Sequence, residues 1–139
     1  MTDPRIIRIA AALIEDGTGR SLLVRKAGTH AFMQAGGKIE PGETPVAALI
    51  RELDEEIGLS VAESELHPIG RFSAPAAHEP DHRVDAHVFH LRTDQQPMPA
   101  AEIAEALWVD PAQVDRMPLA PLTRAYILPA WRDNAGVRI

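Results

Sequence analysis

The chain has 139 residues, of which 45% are hydrophobic and 24% charged, and its formal net charge at pH 7 is −6. This length suits one domain with a buried core, and no apolar run is long enough to span a bilayer. The absence of cysteine excludes disulfides, thiolate metal sites and thiol nucleophiles, and the lack of a Lys/Arg cluster argues against a nucleic acid polymer as partner.

The start of the sequence is polar over Met1–Arg5, and the apolar run that follows is short and interrupted by Arg8. This pattern is not typical of a signal peptide. We therefore expect a single domain over residues 1–139, located in the cytoplasm and without a membrane partner. An acidic protein can still bind an anionic small molecule if metal cations or a few basic side chains face it.

The first part of the chain predicts a hairpin followed by a loop. The Ile- and Ala-rich run 6–14 is typical of a buried strand, and residues 15–20 contain two glycines that predict a turn. Residues 21–26 then predict the partner strand, and residues 27–37 predict a loop.

A helix is predicted next, because Thr44 is a good N-terminal cap and Pro45 suits the first helical position. Gly58 should end this helix in the left-handed conformation that glycine favours. Between these two points one apolar stripe recurs at helical spacing, formed by Val46, Ile50, Leu53 and Ile57 with Leu49 at its edge.

The second half of the chain mixes strand-like and helix-like segments. Strands are predicted at 66–72, 83–92 and 106–110, loops at 73–82 and 93–102, a helical turn at 111–117, and a C-terminal helix at 122–132 that contains Pro129. The interleaved pattern predicts an α/β fold, an α+β sandwich in which a mixed β-sheet is packed between helices.

Four acidic residues crowd the last turns of the predicted central helix, at Glu52, Asp54, Glu55 and Glu56. At about 100° per residue, Glu55 and Glu56 lie within roughly 60° of Glu52, whereas Asp54 faces away. Acidic runs are commonly solvated faces, but these charges repel one another and oppose the helix dipole. Three converging carboxylates would suit Mg²⁺ or Mn²⁺, which can hold phosphate oxygens and activate a water molecule.

The pattern around these acids is more specific than their charge. Read from Gly37, it consists of glycine, five residues, Glu43, seven residues, Arg51-Glu52-Leu53, one residue, Glu55-Glu56, one residue and Gly58-Leu59. This resembles the Nudix box at every defined position, and the strand–loop–helix order around it is similar to the Nudix fold. The resemblance implies a metal-dependent hydrolase that cleaves a pyrophosphate bond in a nucleoside diphosphate linked to another moiety.

The resemblance also implies a set of metal ligands. In the family, the carboxylates that match Glu52, Glu55 and Glu56 hold Mg²⁺ or Mn²⁺, commonly together with the main-chain carbonyl that matches Gly36. Which glutamate acts as the general base differs between members, and the sequence leaves this open.

Two further roles follow from the same resemblance. The residue matching Glu43 usually pairs with the one matching Arg51, and this pair positions the carboxylates. A further glutamate often reaches the metal from a loop before a late strand, where this chain has Glu102 and Glu105. We expect Glu102 to serve, because its spacing from the following strand is similar to that in MutT-type members.

Substrate contacts are expected from charged and polar residues near the box. Arg25 and Lys26 end the second predicted strand, and Lys38 lies in the box turn, so each could face a polyphosphate. His78 and Glu79 lie on a long loop that could line the substrate pocket. For each of these residues an ordinary surface role is the alternative.

The leading function is hydrolysis of a (deoxy)nucleoside triphosphate to the monophosphate and pyrophosphate. The alternative substrate is ADP-ribose or a nucleotide sugar, and a non-catalytic nucleotide sensor is the alternative of another class. MutT-type enzymes that act on oxidised guanine usually carry Asn or Asp near the start of the last helix, and the stretch 119–123 has neither. Homodimers are common in such families, although nothing in this sequence requires one.

Overall fold

The computed structural model describes residues 5–137, with side chains described as far as Arg132, so Met1–Pro4 and the last two residues lie outside the described part. The strands are β1 (Arg5–Glu15), β2 (Ser21–Lys26), β3 (Phe32–Met33), β4 (Ala35–Lys38), β5 (His67–Pro75), β6 (His82–Arg92) and β7 (Ile103–Val109). The helices are α1 (Pro45–Ile57), α2 (Pro111–Val114) and α3 (Leu128–Val137), the last preceded by a π-helical turn (Thr123–Ile127). Within this range no helix is long and apolar enough to cross a membrane.

The seven strands form one mixed sheet. Its main order is β3-β2-β1-β6-β5, with β4 paired to β1 and β7 paired to β2. Strands β1 and β6 run parallel along their whole length, and every other pair is antiparallel. Because β1 and β2 are paired only at Glu15 and Ser21, the two strands are free to diverge toward the other end, where both contribute to a cavity.

The sheet is packed between helices, as the sequence predicts. Ala10, Ala12 and Ile14 of β1 lie in the core that contains the buried face of α1. Leu13 lies in a second core, together with α2 and the segment that leads into α3. The alternation along β1 follows from the period of two in a strand, which sends successive side chains to opposite faces.

Helix α1 begins and ends where the sequence predicts. The Thr44 hydroxyl accepts a hydrogen bond from the Ala47 main-chain N–H at 3.1 Å, and Gly58 adopts φ 67° after the last helical residue. The N–H groups of Gly58 and Leu59 then donate to the last free carbonyls at 3.1 Å each, which closes the helix with a standard glycine cap. Asp54 is exposed, as its helical position predicts.

The prediction of a loop over residues 27–37 is wrong, because this stretch contains β3 and most of β4. Phe32 and Met33 pair with β2, and the glycine-rich β4 pairs with β1 from Lys38 opposite Ile9 to Ala35 opposite Ala12. These strands have no alternating hydrophobic pattern of their own. They form because distant strands provide their hydrogen-bond partners.

The C-terminal helix forms where the sequence predicts it, with helical residues over 121–137, but residues 123–127 form a π-helical turn before α3 begins at Leu128. Pro129 is the second residue of α3, directly after the π-helical turn, and because it has no N–H it cannot donate a hydrogen bond to that turn. The π-helical turn therefore lies where the proline interrupts the hydrogen bonds of one continuous helix.

Candidate active site

Arg51 joins the acidic groups of α1 to the preceding loop. Its guanidinium donates to both carboxylate oxygens of Glu43, from Nε at 2.8 Å and from Nη2 at 2.7 Å. Nη1 donates to Glu52 Oε1 at 2.7 Å, and Nη2 donates to the Lys38 carbonyl at 3.2 Å. The pairing of Arg51 with Glu43 is the one that the sequence predicts.

These contacts change the ionisation of both partners. The hydrogen bonds from Arg51, followed by the one from the Glu40 main chain, lower the pKa of Glu43 to about 2. In return, the hydrogen bonds to Glu43 and Glu52 raise the pKa of Arg51 above its ordinary value. Both groups are therefore charged at neutral pH, and the bidentate geometry fixes the guanidinium in orientation.

Gly37 leaves the space that the Glu52 carboxylate occupies. A Cβ atom placed on Gly37 would lie 2.4 Å from Glu52 Cδ and under 3 Å from both carboxylate oxygens, at 2.7 and 2.8 Å. At the neighbouring Gly36, φ is 150° and a Cβ would lie 2.1 Å from the Ala10 carbonyl oxygen. Glycine is thus required at position 36 by the backbone and favoured at position 37 by the Glu52 side chain.

Glu56 is buried beside Glu52, with 8% of its surface exposed. Burial is the main cause that raises the pKa of Glu56 to about 7, and the negative charge of Glu52 adds to it. The positive charge of Lys26 and a hydrogen bond from the Gly36 main chain act in the opposite direction, while the hydrogen bond to Glu52 favours the protonated form. Near neutral pH the two carboxyl groups therefore share a proton for part of the time.

Glu55 does not join this pair. Its side chain is 56% exposed, and its carboxylate lies 3.6 Å from Arg51 Nη1. Among residues 5–137, no three acidic or histidine side chains converge closely enough to hold a metal ion together. The predicted trio of carboxylates thus separates into a pair, buried Glu56 with partly buried Glu52, and one exposed member, which reduces their mutual repulsion.

A cavity of about 170 Å³ opens next to the carboxyl pair. Its walls come from β1, β2, the β3–β4 segment, the loop after β5, the start of β7 and the residues before α3. Of the predicted site residues, those that line it are Lys26, Gly36, Lys38, Glu56, His78 and Glu79. The fold therefore brings the loop residues His78 and Glu79 to the same cavity as the buried glutamate.

Arg25 does not lie at this cavity. Its guanidinium pairs with Glu105, with Nη2 at 2.6 Å from Oε1, and donates to the Thr29 carbonyl at 2.8 Å. The next residue, Lys26, lines the cavity instead. Neighbouring side chains on a strand point to opposite faces, so only one of these two cations can face the site.

Glu102 is not brought into contact with the carboxyl pair. It is 78% exposed on the loop before β7, with its carboxylate 3.9 Å from Lys26 Nζ. Glu102 therefore approaches the cavity only through its ion pair with Lys26, which lines the wall. The carboxylate of Glu105, the other candidate, forms an ion pair with Arg25.

Two buried polar residues at the cavity are absent from the sequence predictions. The Thr123 hydroxyl donates to Gln34 Oε1 at 2.7 Å, and both side chains line the cavity. No motif marks either residue, and they are 89 positions apart in the sequence. Gln34 lies in a stretch where the sequence predicts a loop and Thr123 in the predicted C-terminal helix, so neither position has a local signal for this contact.

The comparison with known proteins decides the family. The family model described as NUDIX domain matches residues 5–130. The chain belongs to the Nudix family. Enzymes of this family generally use divalent metal ions, which agrees with the acidic composition of the site.

Individual relatives give the reaction class. The chain is 32% identical over 118 residues to the 8-oxo-dGTP diphosphatase of Haemophilus influenzae, covering 81% of this chain and 82% of that protein. It is 32% identical over 124 residues to the CTP pyrophosphohydrolase of Escherichia coli, covering 84% and 85%. The solution structure of the E. coli ORF135 protein is similar with a TM-score of 0.74 and 27% identity, over 97% of this chain and 94% of that one. The protein is thus a Nudix pyrophosphohydrolase that acts on nucleotides.

The fit between Gly37 and Glu52 predicts the effect of Gly37→Ala. The added methyl group must displace the Glu52 carboxylate, and because this is the end of a flexible side chain the melting temperature should change little. Nucleotide hydrolysis with Mg²⁺ should fall at least about tenfold, since the carboxylate loses its position. Gly17→Ala is the control, because its Cβ would meet nothing closer than 3.4 Å. Hydrolysis at the wild-type rate by Gly37→Ala would contradict the role that the sequence predicts for Glu52.

The raised pKa of Glu56 predicts a pH-dependent stability in metal-free buffer. Because the pKa is about 7 in the native protein and 4.5 for an ordinary glutamate, the native state binds more protons between these values. The free energy of unfolding should therefore decrease as pH rises through this window, by up to about 3 kcal/mol from this group. Urea unfolding with a chelator at pH 5.5 and 8.5, carried out on wild type and Glu56→Gln, measures the difference.

In that experiment the free energy of unfolding of Glu56→Gln should lack the pH dependence that Glu56 contributes. At pH 8.5 Glu56→Gln should therefore be more stable than wild type. Glu63→Gln is the matched control, because Glu63 is exposed on a 3₁₀ turn and should leave the wild-type pH dependence unchanged. Identical pH dependence in wild type and Glu56→Gln would show that burial of this carboxyl group does not perturb its titration.

Proposed function

We propose that the protein hydrolyses nucleoside triphosphates to the monophosphate and pyrophosphate with the help of a divalent cation. The observation that carries the proposal is the contact of buried Glu56 with partly buried Glu52, of which Glu56 lies at the wall of a cavity also lined by Lys26 and Lys38. This juxtaposition offers oxygen ligands for a cation and positive charge for a polyphosphate. The names of the two relatives above, which refer to 8-oxo-dGTP and CTP, support a triphosphate as substrate.

The residues fit a hard divalent cation. Carboxylate oxygens are the ligands that Mg²⁺ and Mn²⁺ prefer, and a pair that shares a proton can exchange that proton for a cation. Glu52 and Glu56 would hold the ion, with the Gly36 main chain beside them. Glu55 can join because its ion pair with Arg51 is long and exposed, and such pairs contribute little. When bound, the cation would neutralise phosphate charge and lower the pKa of a water molecule.

Basic residues of this chain would receive the phosphate groups. A protein with net charge −6 repels a polyphosphate at long range, so cations at the cavity wall are needed to orient it. Lys26 and Lys38 line the wall, and Lys26 also faces the charge of Glu56. His78 and Glu79 approach from the loop after β5.

Arg51 is proposed as a positioning residue. Its hydrogen bonds go to Glu43, Glu52 and the Lys38 carbonyl, and it is not among the residues that line the cavity. It would therefore act on the reaction by holding Glu52 in place. Dimer formation and a cytoplasmic location remain predictions from the sequence.

Glu56→Gln tests the proposal, because it keeps the size of the side chain and removes the charge. With Mg²⁺ and a panel of nucleoside triphosphates, 8-oxo-dGTP and ADP-ribose, we expect wild type to release pyrophosphate from the triphosphates. Glu56→Gln should lose at least about two orders of magnitude in kcat. Asp54→Asn is the matched control, since Asp54 is exposed on the same helix and should retain wild-type kcat.

Three outcomes would contradict the proposed function. They are equal rates for wild type and Glu56→Gln, release of orthophosphate in place of pyrophosphate, and a kcat/KM that is highest for ADP-ribose.

A further inference from the structure

One part of the cavity wall differs chemically from the rest. Most of this wall is apolar, with contributions from Ile7, Ile9, Val24, Ile103, Pro121 and Leu122. Gln34 and Thr123 place a carboxamide and a hydroxyl in this apolar surface, and they are only 8% and 2% exposed. Buried polar groups in an apolar wall are costly unless they are hydrogen-bonded, so they commonly mark the point at which a ligand is recognised.

The backbone fixes the two side chains relative to each other. The Phe32 N–H donates to the Pro118 carbonyl at 2.8 Å, and the Ala120 N–H donates to the Phe32 carbonyl at 2.9 Å. These bonds tie the segment before α3 to β3, in a parallel bridge between Phe32 and Leu119. Gln34 therefore meets Thr123 at a position set by main-chain pairing, which makes the site preorganised.

The hydrogen bond between Thr123 and Gln34 orients the side-chain amide of Gln34. Because the Thr123 hydroxyl donates to Gln34 Oε1 at 2.7 Å, the carbonyl end of the amide is occupied. The Gln34 NH₂ group makes no hydrogen bond within the described part of the chain, and it is not sealed from solvent. What the pair offers to a ligand is consequently a hydrogen-bond donor.

The distance to the carboxyl pair suits a nucleotide. Gly36, whose main chain contacts Glu56, is two residues after Gln34, and two residues of chain span at most about 7 Å. A nucleotide is divided in the same way as the cavity, with anionic phosphates at one end and a flat, mostly apolar base at the other. The charged lysines and glutamates of the cavity suit the first end, and the apolar wall around Gln34 suits the second.

We propose that Gln34, oriented by Thr123, is the residue that selects the nucleobase, by donating from its NH₂ group to a carbonyl oxygen or ring nitrogen on the base edge. The inference rests on the proposed function, because it requires the phosphates to lie at the Glu52–Glu56 end. It also explains how the chain recognises a base without an amide or carboxylate in residues 119–123: the amide comes from the segment between β3 and β4.

Gln34→Met tests the proposal, because methionine has a similar length and no hydrogen-bonding amide. The measurement is kcat/KM for the four ribonucleoside triphosphates, the four deoxynucleoside triphosphates and 8-oxo-dGTP, with Mg²⁺. We expect the best substrate to lose about tenfold to hundredfold, mainly through KM, and the poorest to change little. The spread of kcat/KM over the panel should therefore narrow, which a general loss of folding would not produce.

Thr123→Val provides a second variant of nearly unchanged shape, in which the amide loses the hydroxyl that orients it. It should narrow the same spread to a smaller extent and keep the same order of substrates. Gln96→Met is the matched control, because Gln96 is exposed and does not line the cavity, and its spread should equal that of wild type.

The outcomes separate this inference from the proposed function. If wild type hydrolyses triphosphates but Gln34→Met lowers every kcat/KM by the same factor, or leaves all unchanged, Gln34 does not select the base. A wild type with equal kcat/KM for all nucleotides overturns the inference as well. If wild type hydrolyses no triphosphate, the proposed function fails and this inference falls with it.

Discussion

The contact between the carboxyl groups of Glu52 and Glu56 is the constraint on which the rest of the site depends. Two acids held together away from solvent are unfavourable when both are ionised, and the pKa of Glu56 rises to about 7 as a result. A folded chain can tolerate this contact because a proton is shared, or because a cation replaces the proton. The acidic residues that crowd this helix in the sequence thus include two whose negative charge either a proton or a cation can neutralise.

Several local features serve to hold this contact. Gly37 leaves room for the Glu52 carboxylate, and the buried apolar stripe of α1 keeps the helix close to the sheet. Arg51 holds Glu52 from the other side and is itself fixed by Glu43, whose pKa of about 2 keeps the pair charged. Loss of the space at Gly37 or of the Arg51 side chain would relax the geometry while the buried stripe of α1 still holds the helix on the sheet, so activity should be more sensitive than stability to these two changes.

The sequence predicts the parts of the structure that local chemistry determines. Helix α1 begins after Thr44 and ends at Gly58 because caps act within one turn, and the pairing of Arg51 with Glu43 follows from the box pattern. The layered arrangement of helices on a mixed sheet is also predicted. These features depend on residues that are close in the sequence or that belong to one recognisable motif.

Other features depend on distant partners and could not be predicted. Strands β3 and β4 form only because β2 and β1 pair with them, so their own sequence looks like a loop. Arg25 and Lys26 point to opposite faces of β2, and only Lys26 faces the cavity. The sequence does not show which face of β2 borders the cavity, because the residues directly before Arg25 in this strand are apolar on both faces. Gln34 and Thr123 meet only after the segment before α3 has paired with β3.

The most direct test of the central claim is the number of protons released when a divalent cation binds. Titration calorimetry with Mn²⁺ in buffers of different ionisation enthalpy gives this number without any assay of hydrolysis. If the cation replaces the proton shared by Glu52 and Glu56, release should approach about one proton per ion at pH 6 and fall toward zero at pH 8.5. Glu56→Gln should abolish the release. Binding with no proton release at pH 6, or with the same release in Glu56→Gln, would contradict the role of this carboxyl pair.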